Sequence, residues 1–303
     1  MLEEIARPTT IIEAPRLARQ LGIDLTIATE TFQHTGSFKF RAAYNLASKV
    51  DQRKIITASS GNFGQAMAYA CSLLGKACTI VMPSTSAKVK IDAVREYGGN
   101  VDLTDVRLKS RAARVDELAA ENPDAYVASA YDDLLVIEGN ASLGRELASL
   151  SCELDFVVAP IGGGGLTSGI IIGLRSAGSS AKVVAAEPLM ANDAARSLRA
   201  GHIVVNETEP QTIADGARTV SVGHHNWAVL KDGLSAIVEV PEERIKGGVQ
   251  LLFSLANLKA EPTGALAIGA ALTDPALFRD RRVCCVISGG NVDPRVYRAI
   301  LEG

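Results

Sequence analysis

An α/β fold, with twisted open sheets flanked by helices, is what this sequence predicts. Three observations carry it. Short apolar runs, such as Ile55-Ile56 and Val157-Val158-Ala159, alternate with longer amphipathic stretches. Glycine, asparagine or proline closes most of these stretches. And 303 residues are too many for one small core but suit two modest domains.

The elements follow in order. Residues 15–21 predict a helix and 25–28 a short apolar strand. Ser37 suits an N-cap, so a helix is expected from there to about residue 50. Residues 54–58 read as a strand, 61–74 as a helix ended by Gly75, and 77–82 as a strand stopped by Pro83. A helix over 86–97 ends at Gly98-Gly99, and 101–103 is a short strand. The amphipathic stretch 106–120 stops at Asn122-Pro123, and 126–128 is another strand. This block, 50–132, is expected to be a small mobile domain, with 1–49 and 133–303 forming the large one. Past a Tyr-Asp-Asp turn, 139–150 reads as helix and 156–160 as a buried strand. A glycine loop then opens a helix to 177. Strand 182–186, helix 192–200, an irregular stretch 201–222, strand 236–240 and a helix from 241 follow. A helix over 262–272, strand 282–287 and a short closing helix complete the chain. No internal repeat is present.

Composition narrows the function. Net charge is −3, so no basic field draws nucleic acid or an anionic membrane. No apolar run reaches the roughly 18 residues of a spanning helix, and no signal-peptide core opens the chain. The five cysteines form no Cys-x-x-Cys pair; free thiols in a reducing cytoplasm are expected. The four histidines show no ligand spacing, and Trp227 reads as core.

Three stretches carry chemistry. In Thr35-Gly36-Ser37-Phe38-Lys39, one lysine stands at a helix start. The helix dipole and desolvation both favour its neutral amine, the form that attacks a carbonyl. Lysine Schiff bases, including those with pyridoxal phosphate (PLP), need such a group. Gly162-Gly163-Gly164-Gly165-Leu166 lies between a strand and a helix; with no Cβ in the way, its amides form a phosphate cradle. It lacks the Gly-Lys-Ser/Thr of a Walker loop and the Gly-x-Gly-x-x-Gly dinucleotide spacing, although Glu187 keeps the dinucleotide reading open. Ser59-Ser60-Gly61-Asn62-Phe63 sits at a strand-to-helix turn, where it either caps the helix or seats a carboxylate.

Together, Thr-Gly-Ser-Phe-Lys-x-Arg, Ser-Ser-Gly-Asn-x-Gly-Gln and Gly-Gly-Gly-Gly-Leu resemble the serine/threonine dehydratase and serine racemase family of fold-type II PLP enzymes, related to the tryptophan synthase β subunit. The resemblance extends through Met82-Pro83 with Lys88 and Lys90, Thr212-Ile213-Ala214-Asp215-Gly216 and Ser288-Gly289-Gly290-Asn291. It implies PLP in the cleft between the two domains. Lys39 matches the lysine that holds the cofactor and moves the Cα proton. Asn62 matches the asparagine beside its 3-hydroxyl, Gly162 to Leu166 the phosphate loop, and Ser288 the residue facing the pyridine nitrogen. A neutral serine there weakens the electron sink and favours β-elimination. Ser59, Ser60, Gly61, Asn62 and Phe63 match the seat of the substrate.

The same resemblance gives Ser60 two readings. Its hydroxyl is a second acid/base group opposite Lys39, permitting racemisation, or it only caps the helix or binds the substrate carboxylate. Glu187, Asp193 and the carbonyl of Ala191 match a divalent-cation site suited to Mg²⁺ or Ca²⁺. Phe63 departs from the family's histidine, and Glu138-Gly139-Asn140-Ala141-Ser142 from its Ala-Gly-Gln-Gly-Thr. Arg111 matches an arginine that faces a second substrate carboxylate in serine racemase-like members; by itself it reads as a solvated helix charge. The expected activity is dehydration and deamination of serine, threonine or 3-hydroxyaspartate to a 2-oxo acid and ammonia. The alternatives are a racemase using Lys39 and Ser60, and a PLP-binding protein without catalysis. A cytoplasmic homodimer is expected.

Overall fold

The computed structural model describes residues 2–59, 61–86 and 88–303. Ten strands are assigned among them: β1 (Thr10–Glu13), β2 (Asp24–Thr29), β3 (Lys54–Ala58), β4 (Ala77–Pro83), β5 (Asn100–Thr104), β6 (Tyr126–Ala128), β7 (Phe156–Pro160), β8 (Lys182–Pro188), β9 (Leu234–Val240) and β10 (Arg282–Ile287). They form two open sheets. One has the order β1-β2-β10-β7-β8-β9 and the other β5-β4-β3-β6. Every pairing is parallel except β1 on β2.

The apolar runs follow from burial on both faces. Along β7, Val157 and Ala159 face a core shared with the helices Leu134–Ala148 and Gly165–Ser176. Val158 faces the opposite core, shared with Pro15–Leu21, Glu242–Ala256 and Leu266–Thr273. Period-two alternation thus feeds two cores from one strand. The four-stranded sheet does the same on a smaller scale: Ile55 and Ile80 face one core, Ile56 and Val81 the other. The helix Lys39–Lys49 lies between the sheets. Its Phe40, Ala43 and Leu46 join the core of the four-stranded sheet, and it also packs on Leu134–Ala148.

Several expectations shift. Ser37 does not cap the Lys39 helix: it is extended (φ −163°, ψ 162°) and bridges Gly289, and Lys39 is the first helical residue. Ser37 is held by the chain beyond β10 instead. The helix expected over 106–120 spans Arg111–Glu121, because the Ser110 hydroxyl accepts the Ala113 N–H and starts it later. The helix expected over 139–150 begins at Leu134, where the Asp133 carboxylate accepts the Leu135 N–H. Strand β1 and the helix His224–Gly233 have no counterpart in the sequence reading.

Candidate functional site

A cavity of about 600 Å³ opens between the two sheets, and Lys39 lines it. The lysine amine donates to the Ala130 carbonyl at 2.7 Å. It lies 5.1 Å from the centroid of the Phe38 ring and 5.5 Å from that of Phe63. Burial brings the ammonium down to about 8, and the Glu261 carboxylate only partly opposes this. A large fraction of neutral, nucleophilic amine is therefore present at mildly alkaline pH.

The glycine loop forms another wall, with Gly162, Gly163, Gly164, Gly165 and Leu166 all lining the cavity. It is a packed turn, since a Cβ on Gly163 would sit 2.2 Å from the Tyr131 ring and one on Gly162 2.9 Å from the Ala217 Cα. Gly164 has φ +94°, which favours glycine, and directly precedes the helix Gly165–Ser176. Bare amides at the start of a twelve-residue helix suit an anion. Nearby, Thr219 lines the cavity and buries a hydroxyl that has no partner among the described residues.

Ser288 is buried at the end of β10 and also lines the cavity, while its carbonyl accepts the Phe38 N–H. Ser59, Gly61, Asn62 and Phe63 complete the wall from the small-sheet side. The Ser59 hydroxyl is not free as an acceptor: it takes the N–H groups of Gly61 and Gly64 and so caps its own helix. Ser60 lies outside the described residues. Phe63 is buried and lines the cavity, an apolar surface in the seat expected for a carboxylate.

Arg111, which on its own reads as a solvated helix charge, is partly exposed. It lines the cavity and pairs with Glu209 at 3.4 Å. Lys90 reaches the same wall and pairs with Asp215 across the cleft. The sequence reading missed Glu261, which lines the cavity and is 4% exposed. Burial, then Asp215, pushes its carboxyl up to about 8; Lys90, the Asn62 hydrogen bond and Lys39 pull the other way. A lone acid in the apolar run Ala260-Glu261-Pro262-Thr263-Gly264 was the available signal. Tyr131, resting on Gly163, was likewise missed.

The proposed cation ligands lie apart from the cavity lining. The Glu187 carboxylate ends β8 and accepts the N–H groups of Ala194 and Ala195, both at 2.8 Å. Asp193 is buried: its Oδ1 accepts from Asn206, and its Oδ2 has no partner among the described residues. Burial and the neighbouring Asp193 raise Glu187 well above the carboxylate range; burial raises Asp193 to about 6. Among the described residues no group of three or more His, Cys, Asp or Glu side chains gathers as a metal cluster. The expected set here is two carboxylates and one carbonyl.

These residues fit PLP: a low-pKa amine, a cradle of bare amides for a phosphate, and a neutral hydroxyl at Ser288 share one cavity. Comparison with known proteins agrees. Residues 2–289 match the family described as pyridoxal-phosphate dependent enzyme. The chain is 34% identical to an L-threo-3-hydroxyaspartate ammonia-lyase of Pseudomonas sp, over 100% of this chain and 95% of that protein. It is 34% identical to a serine racemase of Dictyostelium discoideum, over 99% of this chain and 94% of the relative. The solved structure of a T.th. threonine deaminase superposes with a TM-score of 0.91 at 34% identity, covering 96% of this chain and 95% of the other.

Proposed function

Because the chain belongs to the pyridoxal-phosphate dependent enzyme family, in its dehydratase and serine racemase branch, we propose that it deaminates a small β-hydroxy amino acid by β-elimination, with 3-hydroxyaspartate as the preferred substrate. The observation carrying this reading is the cavity itself. Lys39, the glycine loop and the cationic side chains of Lys90 and Arg111 line one cavity, suited to a substrate with a second carboxylate. In the net reaction the β-hydroxyl leaves as water, one water is taken up in hydrolysis of the unsaturated amine that results, and the products are a 2-oxo acid and ammonia. Bound PLP supplies the electron sink that makes the substrate Cα–H acidic.

The chain's own groups do the rest. Lys39 anchors the cofactor, and its neutral amine receives the proton from Cα. The amides of Gly162 to Gly165 and Leu166 bind the phosphate. Ser288 would serve the pyridine nitrogen as a neutral partner, and Asn62 would orient the ring. Gly61 and Asn62 seat the α-carboxylate beside Ser59, while Phe63 excludes water from the reacting face. The small-sheet half, 50–132, closes over the substrate, and the Lys90–Asp215 pair links it to the other half. Glu187, Asp193 and the Ala191 carbonyl hold Mg²⁺ or Ca²⁺; the unpartnered Asp193 oxygen supports this. Free thiols at all five cysteines fit a reducing cytoplasm, and a homodimer is testable by light scattering.

The test is a panel of serine, threonine and 3-hydroxyaspartate in both enantiomers, assayed for ammonia and 2-oxo acid. Ammonia from 3-hydroxyaspartate at the highest kcat/KM is expected. Bound PLP without turnover of any of these would reject the reading. Arg111→Ala is expected to raise KM for 3-hydroxyaspartate by about 10- to 100-fold, the value of one charged hydrogen bond. It should leave serine turnover nearly unchanged.

The similarity to a serine racemase favours a second activity in the same pocket, with Ser60 exchanging the Cα proton on the face opposite Lys39. Ser60→Ala is then expected to abolish racemisation while elimination from the L-substrate survives. Chiral chromatography of product mixtures reads this, and equal loss of both activities would sink the two-face model.

A further inference from the structure

Three side chains and one strained turn form a chain of hydrogen bonds that crosses the cleft. Thr35 is a non-glycine residue at φ 60°, in the left-handed region. Its carbonyl accepts from the Asn291 amide nitrogen at 2.7 Å. The same nitrogen donates to the Asn62 amide oxygen at 2.8 Å. The Asn62 amide nitrogen donates in turn to Glu261 Oε1, also at 2.8 Å. Gly36 makes room for this arrangement, since a Cβ there would sit 2.5 Å from Asn291 Oδ1. Glu261 is tied down by its own backbone N–H, which donates to the Gly289 carbonyl.

An asparagine amide has two ends that differ chemically, one accepting and one donating. Unaided, Asn62 could present either end to the cavity it lines. Here Asn291 is a donor and Glu261 an acceptor, so only one orientation satisfies both. Asn291 cannot reverse, because the Thr35 carbonyl requires its donor end. One N–H of Asn62 is committed to Glu261, which leaves the other for an acceptor in the cavity. We propose that Glu261 and Asn291, backed by the Thr35 carbonyl, are positioning residues that lock Asn62 as a hydrogen-bond donor toward the cofactor's ring oxygen. This rests on the reading that the cavity holds PLP. It also assigns a purpose to the Thr35 strain, which would otherwise be a cost without return.

Surrounding charges leave the mechanism one of orientation. Lys39, Lys90 and Asp215 face Glu261 from three separate elements. A neutral Glu261 still accepts through its carbonyl oxygen, and so would glutamine.

The experiment is a double-mutant cycle read as the PLP dissociation constant of the apo protein, by fluorescence titration, with no turnover involved. Asn62→Ala and Glu261→Leu are each expected to weaken PLP about tenfold. The double variant Asn62→Ala/Glu261→Leu should be no weaker than Asn62→Ala alone, because Glu261 acts only through Asn62. Glu261→Gln keeps the acceptor and should bind PLP within about threefold of the wild type. Should Glu261→Leu not fold, Asn291→Ala in the same cycle carries the test, with the same non-additivity expected. A hundredfold loss in the double variant, or Glu261→Gln as weak as Glu261→Leu, overturns the proposal while leaving the PLP reading intact. Failure of the wild type to take up PLP overturns both.

Discussion

At the scale of single residues, the environment of one amine sets the chemistry. Lys39 is pushed toward its neutral form by burial, and among the described residues its amine donates to a backbone carbonyl instead of a carboxylate. The sign of the resulting pH dependence is fixed. A lysine with a depressed pKa is a free base above that value and an inert ammonium below it. The rate of PLP uptake by the apo protein is therefore expected to rise from pH 7 to 9 with a midpoint near 8, and to plateau above. Stopped-flow absorbance reads this directly. A midpoint near the ordinary lysine value of about 10.4 would show that the site does not desolvate the amine. Borohydride-reduced protein should carry the cofactor mass on Lys39 and none in Lys39→Ala.

The residues that sequence alone reveals are those whose meaning is local. Lys39 beside a Gly-Ser turn and four glycines in a row declare themselves within a few positions. Asn62 is legible in its motif, but its partner Glu261 stands 199 residues away, and the pairing shows only when the cleft brings them together. Arg111 reads as surface charge because its own helix is amphipathic and polar, yet the cavity runs along that helix.

Among the elements, the same limit shows in helix starts. The helix His224–Gly233 escapes the sequence reading because its cap comes from elsewhere. The Asp132 carboxylate, 92 residues away, accepts the His224 and His225 N–H groups. Strand β1 is four residues long, half-buried in alternation and antiparallel to β2, so it lacks the long apolar run of β7, β8 and β10. The strands β6, β7 and β10, by contrast, are legible to the residue.

The helices Leu134–Ala148 and Gly165–Ser176 meet backbone to backbone. A Cβ on Gly173 would sit 2.2 Å from the Ala141 carbonyl oxygen and 2.7 Å from the Gly144 Cα. Neither atom belongs to a side chain that can rotate away. Gly173→Ala is expected to cost about 1–3 kcal/mol, the range for overpacking, with a melting temperature several degrees lower. A variant as stable as the wild type would mean that the helices can part.

At the scale of the whole molecule, two sheets share one cleft, and contacts such as Lys90–Asp215 and Asn62–Glu261 span it. Stability should respond to a cation far from that cleft's lining. Glu187 and Asp193 are two buried carboxylates, each raised by its surroundings, and a divalent ion would relieve both. Millimolar Mg²⁺ or Ca²⁺ is expected to raise the melting temperature by several degrees, and Asp193→Ala to abolish that response. Scanning fluorimetry with and without chelator is the check.

The close pair of helices has one more consequence. The glycine loop begins one of the two rods, and that rod has no slack against its neighbour. Evolution can seldom adjust such a joint by single methyl steps, since every step collides with main chain. Drift in what the enzyme accepts must instead pass through the opposite bank, where Phe63 and Arg111 stand on side chains that can be exchanged.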